Sequence, residues 1–154
     1  GQWMDPGALG SLGVGTGFSM AAKLAHPNKE VVCLYGDGSF GMTAFDMETA
    51  QRFGAPYLAI VGNNSAMNQI RYGQISKYGA QRGGVGNKLG DVDFSLFGKM
   101  IGGYGEEVRE ASQIQPALLR AREAIAKTGK CAVVNVWVDP NEYAPGTKAQ
   151  TMYK

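Results

Sequence analysis

The sequence predicts an α/β fold built on one open, mostly parallel sheet with helices on both faces. Three observations predict it. Two apolar runs rich in β-branched and aromatic residues, Val31–Tyr35 and Tyr57–Val61, read as buried strands. Between them lie a glycine loop, Gly36–Gly41, and a helical segment. Strand, loop, helix, strand is a βαβ unit, whose two strands run parallel. A third apolar run, Ala132–Val138, follows a long helical pattern and reads as a further strand of the same sheet.

Each element has its own local reason. Residues 1–10 are irregular, with Asp5-Pro6-Gly7 marking a turn. From Leu12 to Leu24 small residues dominate, among them Gly13, Gly15, Gly17, Ala21 and Ala22, as expected of a helix packed closely on a sheet or ligand. His26-Pro27-Asn28 stops it. Thr43, with Asp46 three residues on, offers an N-cap for a helix running to about Phe53, and Gly54-Ala55-Pro56 ends that helix. Residues 66–72 suit a short helix. The stretch 73–90 holds six glycines (73, 79, 83, 84, 86 and 90) and no hydrophobic period, and it reads as a long functional loop. Phe94–Ile101 suggests another helix. Ser112 with Gln115 forms a capping box, after which Ile114, Leu118, Ala121 and Ile125 share one helical face. Pro116 is tolerable there only near the first turn. Lys127 and Lys130 flank the end, where the helix dipole favours cations. With Arg120 and Arg122 they read as a solvated face. Asp139-Pro140 terminates the last strand. The chain thus divides into a domain, 1–142, and a polar tail, 143–154, that shows no period.

Composition sets outer limits. A chain of 154 residues suits one domain with a real core. Fifteen Lys and Arg against 13 Asp and Glu give no electrostatic case for nucleic acid. No apolar run approaches the roughly 18 residues of a membrane span, and no basic-then-apolar leader opens the chain. Cys33 and Cys131 read as small buried hydrophobes in a reducing compartment, which predicts a cytoplasmic protein. With only His26 beside them, a Cys/His metal site is excluded. The start at Gly1, without Met, points to an excerpt or a processed chain.

The chemistry concentrates at two places. If the first two strands are neighbours, Asp37 and Asn64 sit at the same carboxyl edge, where open α/β sheets bind ligands. A carboxylate and an amide carbonyl are hard oxygen donors suited to magnesium or calcium. Gly36, Gly38 and Ser39 beside Asp37 let backbone N–H groups approach a phosphate closely. Together they make a magnesium diphosphate site. Asn63 reads as structural, bonding nearby backbone in the turn. Glu48, mid-helix, and His26, beside a proline, read as structural and solvated respectively.

These residues resemble the diphosphate-binding domain of thiamine diphosphate-dependent enzymes. The family pattern is Gly-Asp-Gly, a helix, a strand, then Asn-Asn, and the step here, 64 − 37 = 27 positions, fits it. Gly10-Ser11-Leu12-Gly13-Val14-Gly15 resembles the loop that touches the aminopyrimidine ring of the cofactor. Phe40-Gly41-Met42, Glu48-Thr49 with Arg52-Phe53, and Gly102-Gly103-Tyr104-Gly105 are similar to the 2-hydroxyacyl-CoA lyase and oxalyl-CoA decarboxylase branch. The resemblance implies that Asp37 and Asn64 hold magnesium through side-chain oxygens and Ala66 through its carbonyl. It implies that Gly38, Ser39 and Met67 offer N–H groups to the diphosphate. Leu12 then bends the cofactor into a V, and the Gly10 carbonyl and Leu12 N–H hold the pyrimidine. Asn68 stands where the acyl-CoA branch commonly shows a substrate-contacting Tyr. The family's catalytic Glu comes from a pyrimidine-binding domain, of the same or another chain, so the resemblance also implies a homo- or hetero-oligomer.

The implied reaction is carbon–carbon lyase chemistry on a 2-hydroxyacyl-CoA, giving an aldehyde and formyl-CoA, or its reverse. Within the class, decarboxylation of oxalyl-CoA or a 2-oxo acid, and acetolactate synthesis, remain alternatives, and a non-catalytic cofactor-binding domain is another. A dinucleotide-binding reading fails, because Gly13-Val14-Gly15-Thr16-Gly17 precedes the first clear strand instead of following it. Trp3 and Met4 read as interface or truncated-domain packing, and apolar surface is expected around Trp3, Leu9 and the glycine loop. The resemblance implies a tail near the active-site mouth, either a frayed terminus or a lid with Gly146 as hinge, Gln150 or Thr151 reaching substrate and Lys148 meeting a CoA phosphate.

Overall fold

A computed structural model describes residues 2–142. Four strands, β1 (Val32–Gly36), β2 (Leu58–Asn63), β3 (Tyr104–Val108) and β4 (Ala132–Trp137), form one sheet in the order β1-β2-β4-β3. Every pairing is parallel. Six helices surround it: α1 (Val14–Ala25), α2 (Asp37–Thr43), α3 (Asp46–Arg52), α4 (Asn68–Gly83), α5 (Ser95–Met100) and α6 (Ala111–Thr128). The expectation of an open parallel sheet flanked by helices holds.

One face of the sheet carries the aromatic core. Phe40 of α2, fully buried, meets Tyr35, Phe94 and Phe97 edge-on at centroid distances of 5.2, 5.5 and 5.8 Å. Met47 and Ala50 of α3 pack into the same cluster against Ala59, Val61 and Val133. The other face is covered by α6, whose Ala117 and Ala121 lie on Leu58, Val108, Ala132 and Val134. Because α6 spans only β2, β4 and β3, the same face of β1 stays open, and Val32 and Leu34 are 50% and 64% exposed. Trp3 and Leu9 are also exposed, at 77% and 96%. This agrees with the expected apolar surface at the amino end. Among the described residues no helix is long and apolar enough to cross a membrane.

Several sequence expectations change. The glycine loop 36–41 is instead the helix α2, which begins at Asp37, and Thr43 ends that helix instead of capping the next one. Most of the expected loop 73–90 is helical as well. α4 runs from Asn68 to Gly83 with a single break at Gly79, whose φ is 78°. Of its glycines only Gly79 leaves helical geometry, and the Asn87 amide ties the end of the segment back to Gln74 Oε1 and Gly83 O at 2.6 and 2.8 Å. β3 has no apolar run to announce it, because it carries Glu106 and Glu107, which pair with Arg120 and Arg109. Arg122 likewise pairs with Glu30 and Lys127 with Glu123, so the basic face of α6 is exposed but mostly ion-paired. The capping box on α6 is Glu110 with Gln113, two residues earlier than Ser112 with Gln115. Pro116 therefore falls in the second turn, where its ring nitrogen forgoes a bond to the Ser112 carbonyl. The tail and its proposed lid residues lie outside the described residues.

Beneath α1 the core contains a row of hydroxyls. Tyr57 OH meets Tyr35 OH at 3.1 Å, and Tyr35 OH meets Thr16 Oγ1 at 3.1 Å. Burial pushes both phenols up, Tyr57 to about 12 and Tyr35 further. An unfolded chain ionises such phenols near 10, so the stability they contribute is whole below that pH and is lost as pH rises toward about 12. Urea midpoints should therefore decline above pH ~10. Tyr57→Phe should cost about 1 kcal/mol at neutral pH and make that decline shallower. An equally steep decline in Tyr57→Phe would remove Tyr57 from the account.

Candidate cofactor site

The site grows from two strand ends. Gly36 of β1 lies opposite Gly62 of β2, so the residues that follow each strand emerge side by side at the carboxyl edge. Asp37, only 3% exposed, is the first residue of α2. Its Oδ1 accepts the Gly38 N–H at 2.7 Å, and its Oδ2 accepts the N–H groups of Asn64 at 3.2 Å and Ala66 at 3.0 Å. The carboxylate thus pins the turn after β2 to the start of α2. Asn63 assists from below. Its Oδ1 accepts the Ser65 N–H, and its amide donates to Val92 O and to Asn135 Oδ1. It is fully buried and structural, as expected. Ser65 turns the chain with a positive φ of 56°, and its hydroxyl donates to Asp91 Oδ1 at 2.6 Å.

The donor set at this edge fits a magnesium ion with a diphosphate. Asn64 Oδ1 is buried without a hydrogen-bond partner, an acceptor with its desolvation uncompensated. The Asp37 carboxylate offers about four lone-pair sites, of which three are used, so it retains capacity beside that orphan oxygen. Among the described residues no group of three or more His, Cys, Asp or Glu could hold a metal. A single carboxylate, an amide oxygen and phosphate oxygens are the set that magnesium takes, since it relies on few protein ligands plus substrate phosphates. A Cβ on Gly38 would stand 2.9 Å from Met67 Cγ and Cε, so a side chain there would displace Met67.

The other residues singled out from sequence fall as follows. Gly10 takes a left-handed conformation after a 3-10 turn, Gly7–Leu9, and Ser11 and Leu12 follow it exposed. Ser11, Leu12 and Ser39 line one groove of about 710 Å³ together with Trp3, Phe18 and Leu34. The loop at Ser11 and Leu12 and the start of α2 therefore share one opening. Ala66 is buried beside Asp37. The Met67 N–H, expected to face a diphosphate, donates to Asn87 O at 2.8 Å, and the Gly38 N–H is likewise occupied by its neighbour's carboxylate. Asn68, expected near substrate, donates its amide to Pro140 O at 2.6 Å and accepts from Arg71. It ties α4 to the segment after β4. Glu48 is exposed and bonded to Arg52 at 3.2 Å, and His26 is exposed. Cys131 is buried, which raises its thiol to about 11, and Cys33 is half-buried; both are free. Sequence reasoning read Thr43 only as an N-cap for the following helix and missed that its hydroxyl bonds Gly13 O at the start of α1. It also missed Ser65 and Asp91, which no short motif marks.

Comparison with known proteins agrees with this geometry. The chain is 33% identical over 147 residues to "2-hydroxyacyl-CoA lyase 2" of Mus musculus, covering 95% of this chain and 23% of that protein. The Danio rerio protein of the same name is 35% identical over 147 residues, 94% of this chain and 23% of the relative. "Acetolactate synthase large subunit IlvG" of Mycobacterium tuberculosis is 34% identical over 145 residues, 94% of this chain and 25% of the relative. The chain thus spans about a quarter of the length of these relatives. Residues 1–136 match the family described as "Thiamine pyrophosphate enzyme, C-terminal TPP binding domain", and the chain belongs to that family.

Proposed function

We propose that this chain supplies the diphosphate-anchoring part of a magnesium-requiring, thiamine diphosphate-dependent carbon–carbon lyase acting on 2-hydroxyacyl-CoA. The products are an aldehyde and formyl-CoA, or the reverse reaction joins them. One observation carries the reading: a buried carboxylate, Asp37, bonded to the backbone of Asn64, whose own side-chain oxygen is buried and unpartnered. Asp37 Oδ, Asn64 Oδ1 and the Ala66 carbonyl are the atoms that would hold the ion. Ser39 would face the phosphates, and Gly10, Ser11 and Leu12 the aminopyrimidine. When bound, the cofactor supplies a nucleophilic carbon and an electron sink for breaking or making the carbon–carbon bond. The chain's part is to anchor the charged end, to set the ring against Leu12 and to exclude water. A pyrimidine-binding domain, of the same or another chain, contributes the catalytic glutamate within an oligomer. The exposed Trp3, Leu9 and Leu34 suit such an assembly. Two free thiols suit a reducing, cytoplasmic setting.

The acyl-CoA substrate follows the names of the mouse and zebrafish relatives. The mycobacterial relative, at similar identity, favours acetolactate synthesis as the second reading. One experiment separates them. With a pyrimidine-binding domain, magnesium and thiamine diphosphate present, the assembly is given a 2-hydroxyacyl-CoA or pyruvate. Release of formyl-CoA from the first is the expected result. Acetolactate from pyruvate, with no formyl-CoA, would transfer the chain to the second reading.

A further inference from the structure

Gly13 lies at the N-terminal boundary of α1 with a φ of 81°, between the loop 10–12 and the helix. Its N–H donates to Ser39 Oγ at 3.1 Å, and its carbonyl accepts the Thr43 hydroxyl at 2.8 Å. Ser39 and Thr43 are four residues apart on α2, so they stand one turn apart on one face. The two hydroxyls bracket a single residue of the neighbouring loop. The fit is close, since a Cβ on Gly13 would lie 3.1 Å from Thr43 Cγ2. Thr43 is in turn fixed from within. Its Oγ1 meets Thr16 Oγ1 at 2.9 Å, and Thr16, 1% exposed, continues the hydroxyl row to Tyr35 and Tyr57. A hydroxyl has one proton and two lone pairs, so Thr43 can donate to Gly13 O while accepting from Thr16.

We propose that Thr43 is a positioning residue for the cofactor: with Ser39 it fastens both backbone polar groups of Gly13 to α2, holding the loop 10–13 in register with the diphosphate end of the site. The inference rests on the cofactor reading above. Its physical content is that the two ends of the ligand are recognised by segments distant in sequence. A loop free to shift would still leave the Asp37–Asn64 end intact. It would lose contact with the ring, because near-attack geometry tolerates little displacement. Thr43→Val keeps the shape and removes the hydroxyl, whereas Thr43→Ser keeps the hydroxyl.

Two measurements test it. Affinities of magnesium with inorganic diphosphate, and of magnesium with thiamine diphosphate, are compared in wild type, Thr43→Val and Thr43→Ser. In Thr43→Val, diphosphate affinity should stay within about twofold while thiamine diphosphate affinity falls about tenfold, the worth of one buried hydrogen bond. Thr43→Ser should restore it. Amide exchange without cofactor should quicken about tenfold at residues 10–14 in Thr43→Val and stay unchanged in β2 and β4. A parallel fall for both ligands would mark a merely structural role and overturn the proposal. So would unchanged exchange at Gly13. Wild type that binds neither ligand would overturn the cofactor reading itself, an outcome distinct from these two.

Discussion

Asp37→Asn should lower thiamine diphosphate affinity in magnesium by roughly 100-fold, the scale on which metal sites respond to their ligands and supports. The substitution removes the carboxylate that accepts the backbone N–H groups of Asn64 and Ala66 in the turn after β2, while leaving one side-chain oxygen to accept the surrounding N–H groups. Asp37→Ala is a harsher test. It strands three N–H groups, the buried ones of Gly38 and Ala66 and the partly buried one of Asn64, and should cost on the order of 2–4 kcal/mol of stability in addition. Asn64→Ala should match the loss of affinity at a smaller cost in stability, because its Oδ1 bonds nothing in the protein. Glu48→Ala, on an exposed i,i+4 pair with Arg52, should leave binding near wild type. The measurement is calorimetry with and without magnesium, set beside urea midpoints. Equal affinity in wild type and Asp37→Asn would remove Asp37 from the site.

The contrast between Asp37 and Thr43 shows what was legible in the sequence. Asp37 follows an apolar strand and precedes a glycine, and Asn64 follows a second strand. Strand ends are announced by hydrophobic runs, so the site's edge could be placed from the chain alone. The parallel relation of β1 and β2 follows from the connection between them. Thr43 carries no such signal. A Thr three residues before an Asp is a common capping pattern, and only the tertiary position of Gly13 shows where its hydroxyl goes. β3 was illegible for a different reason. Tyr104-Gly105-Glu106-Glu107-Val108 carries two carboxylates and buries fully only Val108, so no apolar run marks it, whereas β1, the other edge strand, is marked by Val31–Tyr35. The glycines of α4 misled in the opposite direction. Six glycines in 73–90 suggested a loop, yet only Gly73, Gly79 and Gly83 fall within α4, Gly79 at its break and Gly83 at its last residue, so the helix carries about 1 kcal/mol of glycine cost chiefly at Gly73.

Gly105→Ala should be the most damaging small substitution remote from the site. A Cβ on Gly105 would stand 1.9 Å from the carbonyl oxygen of Ser95 and 2.8 Å from its carbonyl carbon. Those are backbone atoms at the start of α5, and no side-chain rotation relieves the contact. The same approach is seen from the other element, for a Cβ on Gly98 of α5 would lie 2.2 Å from Tyr104 O. A Cβ on Gly103 would meet Cys131 O at 2.3 Å. Helix and edge strand are thus in backbone contact at Gly105 and Gly98, while Gly103 is held close by the carbonyl before β4 and Gly102 takes a positive φ of 75°. α5 cannot simply lift away. Ser95 is fully buried and anchored to Asp93 through its N–H and its hydroxyl, both at 2.9 Å, and Phe97 packs on Phe40. Gly105→Ala should therefore cost about 3 kcal/mol or more, the upper range for overpacking a closed contact. Gly17→Ala is the matched control. It sits within α1 with nothing inside 4 Å of the added carbon, and it should gain up to about 1 kcal/mol from helix propensity. Urea midpoints of the two variants should move in opposite directions. If Gly105→Ala unfolds at the wild-type midpoint, α5 and β3 do not approach as described, and the aromatic cluster around Phe40 needs another support.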